Sequence, residues 1–277
     1  MNIGGCMTTQ AMHMSDQIAA QSVIGELLRE QQTLAPRSRF AKLWGRTPLG
    51  ADSVAWYLGA LGEMEVGKVL SRLPAEWRVF HALPIGKADA DIDHLVIGPG
   101  GIFTINTKHH RGKKIWVTER AFLVNGQKQA HLRNSIFEAT RITKMFRERM
   151  PQLPSAQAVI ALVSPGQITI KGKPDAVQVL DSNNLRRWLR KRPIALSEAD
   201  LLELAAIIDA PSTWTVSTLP PTPNLMERFT VIDREVRTAR VRRISWTLLG
   251  FAMVTALVVL VGMPLYEGLV RGAIGTS

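Results

Sequence analysis

The spacing of apolar positions predicts a series of short helices and strands, followed by one long apolar run near the C-terminus. Within residues 51–73, apolar side chains recur every three or four positions, which predicts an amphipathic helix that Pro74 ends. Residues 92–97 and 102–107 have the composition of strands, and the glycine-rich turn between them predicts a hairpin.

The same patterns extend the prediction to the rest of the chain. Further strands are predicted at 77–83, 115–118, 121–124, 157–163, 168–170 and 177–180. Further helices are predicted at 16–31, 135–149, 185–191 and 198–208. Residues 157–163 are nearly all apolar, as expected of a strand that is buried on both faces of its sheet. Helices on either side of a group of strands indicate an α/β fold.

The long apolar run at 244–263 contains no Asp, Glu, Lys or Arg. A helix rises about 1.5 Å per residue, so this run spans roughly 30 Å, the thickness of the hydrocarbon core of a bilayer. We therefore predict a single transmembrane helix, and the alternative is a helix buried in a soluble core.

The charges on either side of the run predict its orientation. Basic residues precede it at Arg228, Arg234, Arg237, Arg240, Arg242 and Arg243. Only Arg271 follows it. Because positive segments stay in the cytoplasm, the N-terminal part is predicted to be cytoplasmic, in a single-pass membrane protein. The basic segment 228–243 is also predicted to bind anionic lipid.

These features divide the chain into five predicted parts. Residues 1–50 form an N-terminal segment that is partly disordered or helical. Residues 51–210 form the α/β domain. Residues 211–243 combine a Pro- and Thr-rich linker with the basic juxtamembrane segment, 244–263 are the transmembrane helix, and 264–277 are a short external tail.

Composition restricts the chemistry that this chain can perform. The formal net charge is +11 and the pI is about 10.3, which favours binding to polyanions, either nucleic acid or an anionic membrane surface. Cys6 is the single cysteine, which excludes an internal disulfide and a metal cluster held by thiolates.

Acidic residues and one lysine mark the predicted hairpin as the candidate site. Asp91 and Asp93 begin its first strand, after Asp89, and Lys108 follows its second strand. Antiparallel pairing places Asp93 and Lys108 at the same end, where Glu63 of the preceding helix could join them. Carboxylates beside a lysine suit hydrolysis of phosphodiesters assisted by Mg²⁺. As an alternative, Asp89 and Asp91 are solvated turn acids.

Three motifs in this region resemble one known family. They are Gly-Ala-Leu-Gly-Glu at 59–63, Asp-Ile-Asp-His at 91–94 and Gly-Ile-Phe-Thr-Ile-Asn-Thr-Lys at 101–108. Over 56–144, and more loosely over 157–214, the chain resembles the nuclease-related domain (NERD) family of the PD-(D/E)xK nuclease superfamily. The resemblance implies a restriction-endonuclease-like fold, in which helices flank a mixed central sheet.

The resemblance also implies roles for individual residues. Glu63 and Asp93 match metal ligands, and Lys108 matches the catalytic lysine. Asn106 stands where the superfamily has Glu or Asp, so it would be a weakened ligand that Asp91 or Glu65 would supplement. The implied cofactor is Mg²⁺ or Mn²⁺.

Basic residues after the candidate site predict a nucleic-acid partner, either DNA or RNA. The candidate contacts to the phosphate backbone are Lys113, Lys114, His109 and Arg133. Two alternatives stay open. One is a catalytically inactive domain of the same fold that binds nucleic acid or serves as a scaffold at the membrane. The other is a membrane-associated interaction protein whose positive charge serves lipid binding alone.

Overall fold

The computed structural model describes residues 13–85, 91–214, 224–266 and 268. Cys6, Asp89 and Arg271 lie outside the described residues. The chain forms two compact units, one from the described parts of 1–27 and 54–225, the other from those of 28–53 and 226–277.

The first unit is built on a five-stranded mixed sheet in the order β1-β2-β3-β7-β9. These strands are β1 (Arg78–Pro84), β2 (Asp91–Gly98), β3 (Gly101–His109), β7 (Gln157–Val163) and β9 (Val177–Asp181). β2 and β3 form the predicted antiparallel hairpin, whereas β3 pairs with β7, and β7 with β9, in parallel. The central strand β3 is therefore paired along both edges.

A second mixed sheet lies later in the same unit, in the order β6-β5-β4-β8. Its strands are β4 (Lys114–Val117), β5 (Phe122–Val124), β6 (Gln127–Gln129) and β8 (Gln167–Ile170). The predicted strands at 115–118 and 121–124 correspond to β4 and β5, which pair with each other, and β6 adds a strand that was not predicted. β5 and β6 are joined by Asn125 and Gly126, which both have positive φ, as a tight hairpin turn requires.

Helices flank the central sheet, which confirms the predicted α/β class. The helices that pack on this sheet include α3 (Ala51–Leu70), α4 (His131–Arg147), α5 (Ser182–Arg190) and α6 (Glu198–Asp209). Earlier in the chain lie α1 (Gln21–Gln32) and α2 (Arg39–Leu43), the latter in the second unit. Short 3₁₀ turns lie at Met14–Asp16 and Pro211–Thr213.

Two apolar clusters fix these helices on opposite faces of the sheet. On one face, Val66 of α3 and Leu185 of α5 pack with Phe103 of β3. On the other, Ile142 of α4 packs with Leu95 of β2, together with residues of α6. The ends of β2 and β3 therefore lie between α3 and α4.

In the second unit, the helix α7 (Leu225–Leu257) continues through a π-helical segment, Val258–Gly262. The continuous helix Leu225–Tyr266 has 42 residues, and none of its most apolar window is buried. Its length and composition would allow it to cross a membrane, and its exposure argues against the alternative of a core helix. Part of the predicted linker, 215–223, lies outside the described residues.

Candidate functional site

The hairpin register brings Asp93 beside the last residues of β3. His94 pairs with Ile105, so the next residues, Asp93 and Asn106, are cross-strand neighbours on one face of the sheet. The backbone N–H of Thr107 donates to Oδ2 of Asp93 over 2.5 Å, which fixes the carboxylate at the strand end.

Lys108 follows on the same face of β3 as Asn106, because side chains alternate along a strand. Desolvation raises the pKa of Asp93, and the Lys108 ammonium and the Thr107 N–H oppose that rise. The structure thus brings the predicted acid and the predicted lysine to one end of the sheet.

Glu63 reaches this end from α3, where Gly62 lets the helix approach β3 and Gly59 lets it approach α1. A Cβ at Gly62 would lie 3.0 Å from Cβ of His109, and a Cβ at Gly59 would lie 3.3 Å from Val23. Glu63 itself is only 5% exposed. Among the described residues, its Oε2 has no hydrogen-bond partner. The spacing of the Gly-Ala-Leu-Gly-Glu motif therefore positions a buried acid.

The pKa values of the carboxyl groups in this region are raised. Burial, and then Asp93 and Asp91, raise the pKa of Glu63 well above its usual range, while Lys108 opposes the rise. Burial and the neighbouring Asp93 raise the pKa of Asp91 to about 6. The carboxylates thus repel one another in a partly desolvated place, where a cation would stabilise their charged forms.

The Asn106 amide makes the contact that sequence reasoning missed. Asn106 is 6% exposed, and its Nδ2 donates to both carboxylate oxygens of Glu138, over 2.9 and 3.1 Å. Its Oδ1 has no hydrogen-bond partner in the described part of the chain. A carboxylate from α4 therefore lies directly against the position where the superfamily pattern implies one on β3.

Glu138 shares the electrostatic environment of the other acids. Burial raises its pKa to about 7, Asp93 and Asp91 add to the rise, and the hydrogen bond from Asn106 and the charge of Lys108 oppose it. A sequence signal existed. Glu138 is the single acid of α4, and it lies three residues after the buried Ser135 and four before the buried Ile142, on the inner stripe of the helix.

Residues 58–164 match the family described as the nuclease-related domain, NERD. On the basis of this similarity, we refer to this part of the chain as the NERD domain. The matched residues include the whole candidate site from Glu63 to Glu138, so the resemblance seen in the motifs is confirmed. Comparison with curated proteins and with solved structures gives no match.

The donor set of the NERD domain fits a hard cation such as Mg²⁺. Buried Glu63 and Asn106 each keep an oxygen without a partner among the described residues. Magnesium is typically bound by one or two carboxylates and retains several waters. Within the described ranges, no three His, Cys, Asp or Glu side chains converge as a metal-binding group. The residues therefore suit a site completed by the amide oxygen and by water, not an all-carboxylate cage.

The predicted nucleic-acid contacts lie at the end of β3 or after it in the sequence. Lys113 and Lys114 are exposed at the start of β4, and Arg133 is exposed in the first turn of α4. His109 differs from these, because its Nδ1 lies 2.8 Å from the backbone oxygen of Leu58 in a hydrogen bond. That bond fastens β3 to α3.

Two histidine pairs in the NERD domain were not visible in the spacing of the sequence. His110 and His131 stack with ring centroids 5.6 Å apart, and burial lowers the pKa of each to about 4. His81 and His94 approach through their Nδ1 atoms at 2.8 Å. Both pairs join residues from different elements.

Proposed function

We propose that the NERD domain binds nucleic acid and hydrolyses phosphodiester bonds with Mg²⁺ or Mn²⁺, in a protein anchored to a membrane by residues 244–263. The observation that carries the proposal is the contact between Asn106 and Glu138. It supplies a carboxylate where the chain lacks the acidic residue of the superfamily pattern.

In this proposal, at most two of the carboxylates of Glu63, Asp93 and Glu138 would bind a metal ion directly, because no three such groups converge among the described residues. The amide oxygen of Asn106 and water would complete the ligands. A bound Mg²⁺ would stabilise charge on the scissile phosphate and lower the pKa of a water molecule. The protein groups act by orientation. The N–H of Thr107 fixes the carboxylate of Asp93, and the amide of Asn106 fixes that of Glu138. The remaining proposed ligand, Asp91, carries a pKa of about 6 and adds negative charge above that pH.

Lys108 is the proposed catalytic cation. Its ammonium lies close enough to Asp93, Glu63 and Glu138 to oppose the rise in pKa of all three carboxyl groups. With a cation bound by these carboxylates, the Lys108 ammonium would be available to stabilise the negative charge that develops on the phosphate. Lys113, Lys114, His109 and Arg133 are the proposed contacts to the nucleic-acid backbone, which predicts salt-dependent binding with little sequence preference.

The second candidate function is a NERD domain that binds nucleic acid, or serves as a scaffold, without cleaving it. The uncharged Asn106 favours this alternative, as does the lack of three converging acidic or histidine groups within the described residues. Cleavage by the wild-type protein separates the two candidates.

The decisive experiment exchanges the amide and the carboxylate. Mg²⁺ titration and cleavage of single- and double-stranded nucleic acid are measured on the full chain in detergent micelles. Glu138→Gln is expected to weaken Mg²⁺ binding and cleavage by about 10–100-fold. Adding Asn106→Asp to Glu138→Gln returns one negative charge to the pair and is expected to recover most of the loss.

Controls define what would contradict this proposal. Glu148→Gln removes an exposed acid just after the same helix and should change nothing. Lys108→Met should abolish cleavage while Mg²⁺ still binds. Unchanged Mg²⁺ affinity in Glu138→Gln would remove Glu138 from the site, and nucleic-acid binding without cleavage would favour the second candidate.

A further inference from the structure

The short helix α2 and the residue after it expose large apolar side chains. Phe40 is 75% exposed, Leu43 is 51% exposed and Trp44 is 59% exposed. Ser38 caps the helix by accepting a hydrogen bond from the N–H of Ala41 over 3.2 Å, so these side chains belong to an ordered turn. Three neighbouring large apolar residues on one short segment form an unusual surface for contact with water.

Side chains of α7 fix this segment at the point where the apolar run begins. Arg242 donates through Nη1 to the backbone oxygen of Lys42, and Trp246 donates through Nε1 to that of Leu43, both over 2.9 Å. Both acceptors are backbone carbonyl groups at the C-terminal end of α2. The rings of Trp44 and Trp246 also lie 4.7 Å apart.

The backbone after α2 is shaped for close contact with α7. Gly45 has a φ of +72°, and a Cβ there would lie 2.5 Å from the backbone oxygen of Ala239. No other residue fits this position without a shift. Arg37 adds an ion pair with Glu235 and a hydrogen bond to the backbone oxygen of Arg46, which closes the segment on itself.

Cationic side chains accompany the apolar ones. Arg39, Lys42 and Arg46 are exposed along the segment. Arg39, Lys42 and Arg242 line a shallow groove together with the apolar side chains of Leu43 and Trp246. Positive charge beside apolar surface complements an amphipathic molecule that has an anionic head, and the groove lies at the start of the apolar run.

We propose that residues 38–46 form a second membrane contact, which lies in the bilayer interface beside the first turn of the transmembrane helix. Phe40, Leu43 and Trp44 enter the boundary between headgroups and acyl chains, and the cations bind the phosphates of anionic phospholipids. This inference rests on the proposed anchoring by 244–263. It adds a segment some 200 residues earlier in the chain, which was not predicted to contact a membrane.

The test measures the depth of single spin labels in the full chain, reconstituted into vesicles of phosphatidylcholine with phosphatidylglycerol. The native thiol is removed by Cys6→Ser, and labels are attached to Phe40→Cys and Leu43→Cys. Two further variants calibrate the depth. Val254→Cys lies within the apolar run, and Arg234→Cys is exposed on α7 before that run.

The labels at 40 and 43 are expected to lie about 5–10 Å into the interface. They should therefore be more accessible to oxygen, and less accessible to a water-soluble nickel complex, than the label at 234. Water exposure at 40 and 43, equal to that at 234, overturns the inference while a buried label at 254 preserves the anchor. Water exposure at 254 overturns both proposals. If the labels at 40 and 43 show dipolar coupling between two chains and do not lie in the membrane, the inference is overturned and a second copy of the chain is the partner.

Vesicles of phosphatidylcholine alone test the role of charge. The labels at 40 and 43 should become shallower there, whereas the label at 254 should not move. An unchanged depth at 40 and 43 would contradict binding to anionic headgroups.

Discussion

At position 106 an amide occupies the place of an expected acid, and a carboxylate from another element lies against it. Desolvation raises the pKa of Glu138 to about 7, so this proposed ligand would bind a metal ion in competition with a proton. Glu138 lies 32 residues after Asn106, so the sequence does not reveal their contact. Only the packing of α4 on the sheet brings the two side chains together. A carboxylate on α4 thus keeps a negative charge beside position 106, although the motif on β3 has an amide there.

The pair of His81 and His94 makes a residue-scale prediction about pH. Burial lowers the pKa of His81 to about 4, so between pH 6.5 and 4 the unfolded chain binds a proton that the folded chain does not. Stability therefore falls as the pH is lowered through this range. His81 should contribute a loss of about 2 kcal/mol between pH 8 and pH 5.

Urea unfolding of the full chain in micelles, at several pH values, measures this effect as a difference between the wild type and His81→Gln. The acids of the site titrate in both proteins, so their contributions largely cancel. The variant should lose less stability on acidification than the wild type. Parallel pH profiles would show that His81 is not protonated differently in the folded and unfolded chains.

Sequence reasoning at the residue scale succeeded where local spacing decided the outcome. Asp93 and Lys108 meet because a hairpin brings the start of one strand to the end of the next. Glu138 and the stacked His110 and His131 were missed because their contacts join separate elements. The roles of Asp93 and Lys108 in catalysis stay predictions.

At the scale of elements, periodicity predicted most helices and strands, and β7 within the same bounds. β6 was missed although the Asn125–Gly126 pair before it is a hairpin signal. α2 was missed because five residues are too few to show a helical period. The start of α4 came four residues early, at His131, because the first turn of that helix is largely polar and lacks a side-chain cap.

For two glycines inside helices, we predict that replacement by alanine changes the stability of the chain in opposite directions. A Cβ at Gly67 in α3 would lie 2.7 Å from Cβ of Ala19, whereas nothing lies within 4 Å of a Cβ at Gly25 in α1. Gly67→Ala should destabilise the chain by about 1–3 kcal/mol through overpacking. Gly25→Ala should stabilise it by about 0.5–1 kcal/mol, because alanine favours helix.

Urea unfolding midpoints of both variants in micelles test this pair against the wild type. The opposite signs matter more than the sizes, because helix propensity alone predicts stabilisation at both positions. Stabilisation by Gly67→Ala would contradict the close approach of residue 19 to α3.

At the scale of the whole molecule, the apolar run was predicted from length and composition, and the structure has a helix that could span a bilayer there. The continuity of this helix from Leu225 onward was not predicted, although apolar residues recur every three or four positions at Leu225, Phe229, Ile232, Val236 and Ala239. The contact of α2 with α7 was also missed, because it joins segments that are far apart in the chain.

The predicted orientation has a direct test with a membrane-impermeant maleimide. Each single cysteine is introduced into the Cys6→Ser protein, which is produced in intact cells. Ser277→Cys should be labelled from outside, whereas Arg234→Cys should be labelled only after the membrane is permeabilised. The reason is the excess of arginine before the apolar run. The reverse labelling pattern would place the NERD domain outside the cytoplasm.

The family match ends at residue 164, one residue after β7, but the sheet does not end there. β9 pairs with β7, and its Val177 and Val179 pack with Ala158 and Ile160. An expression fragment cut at the family boundary would leave the edge of β7 open, with unpaired peptide groups beside apolar side chains, and open edges of this kind promote aggregation. Fragments intended for crystallisation should therefore retain the strand that closes this edge, and those stopping at 164 should precipitate.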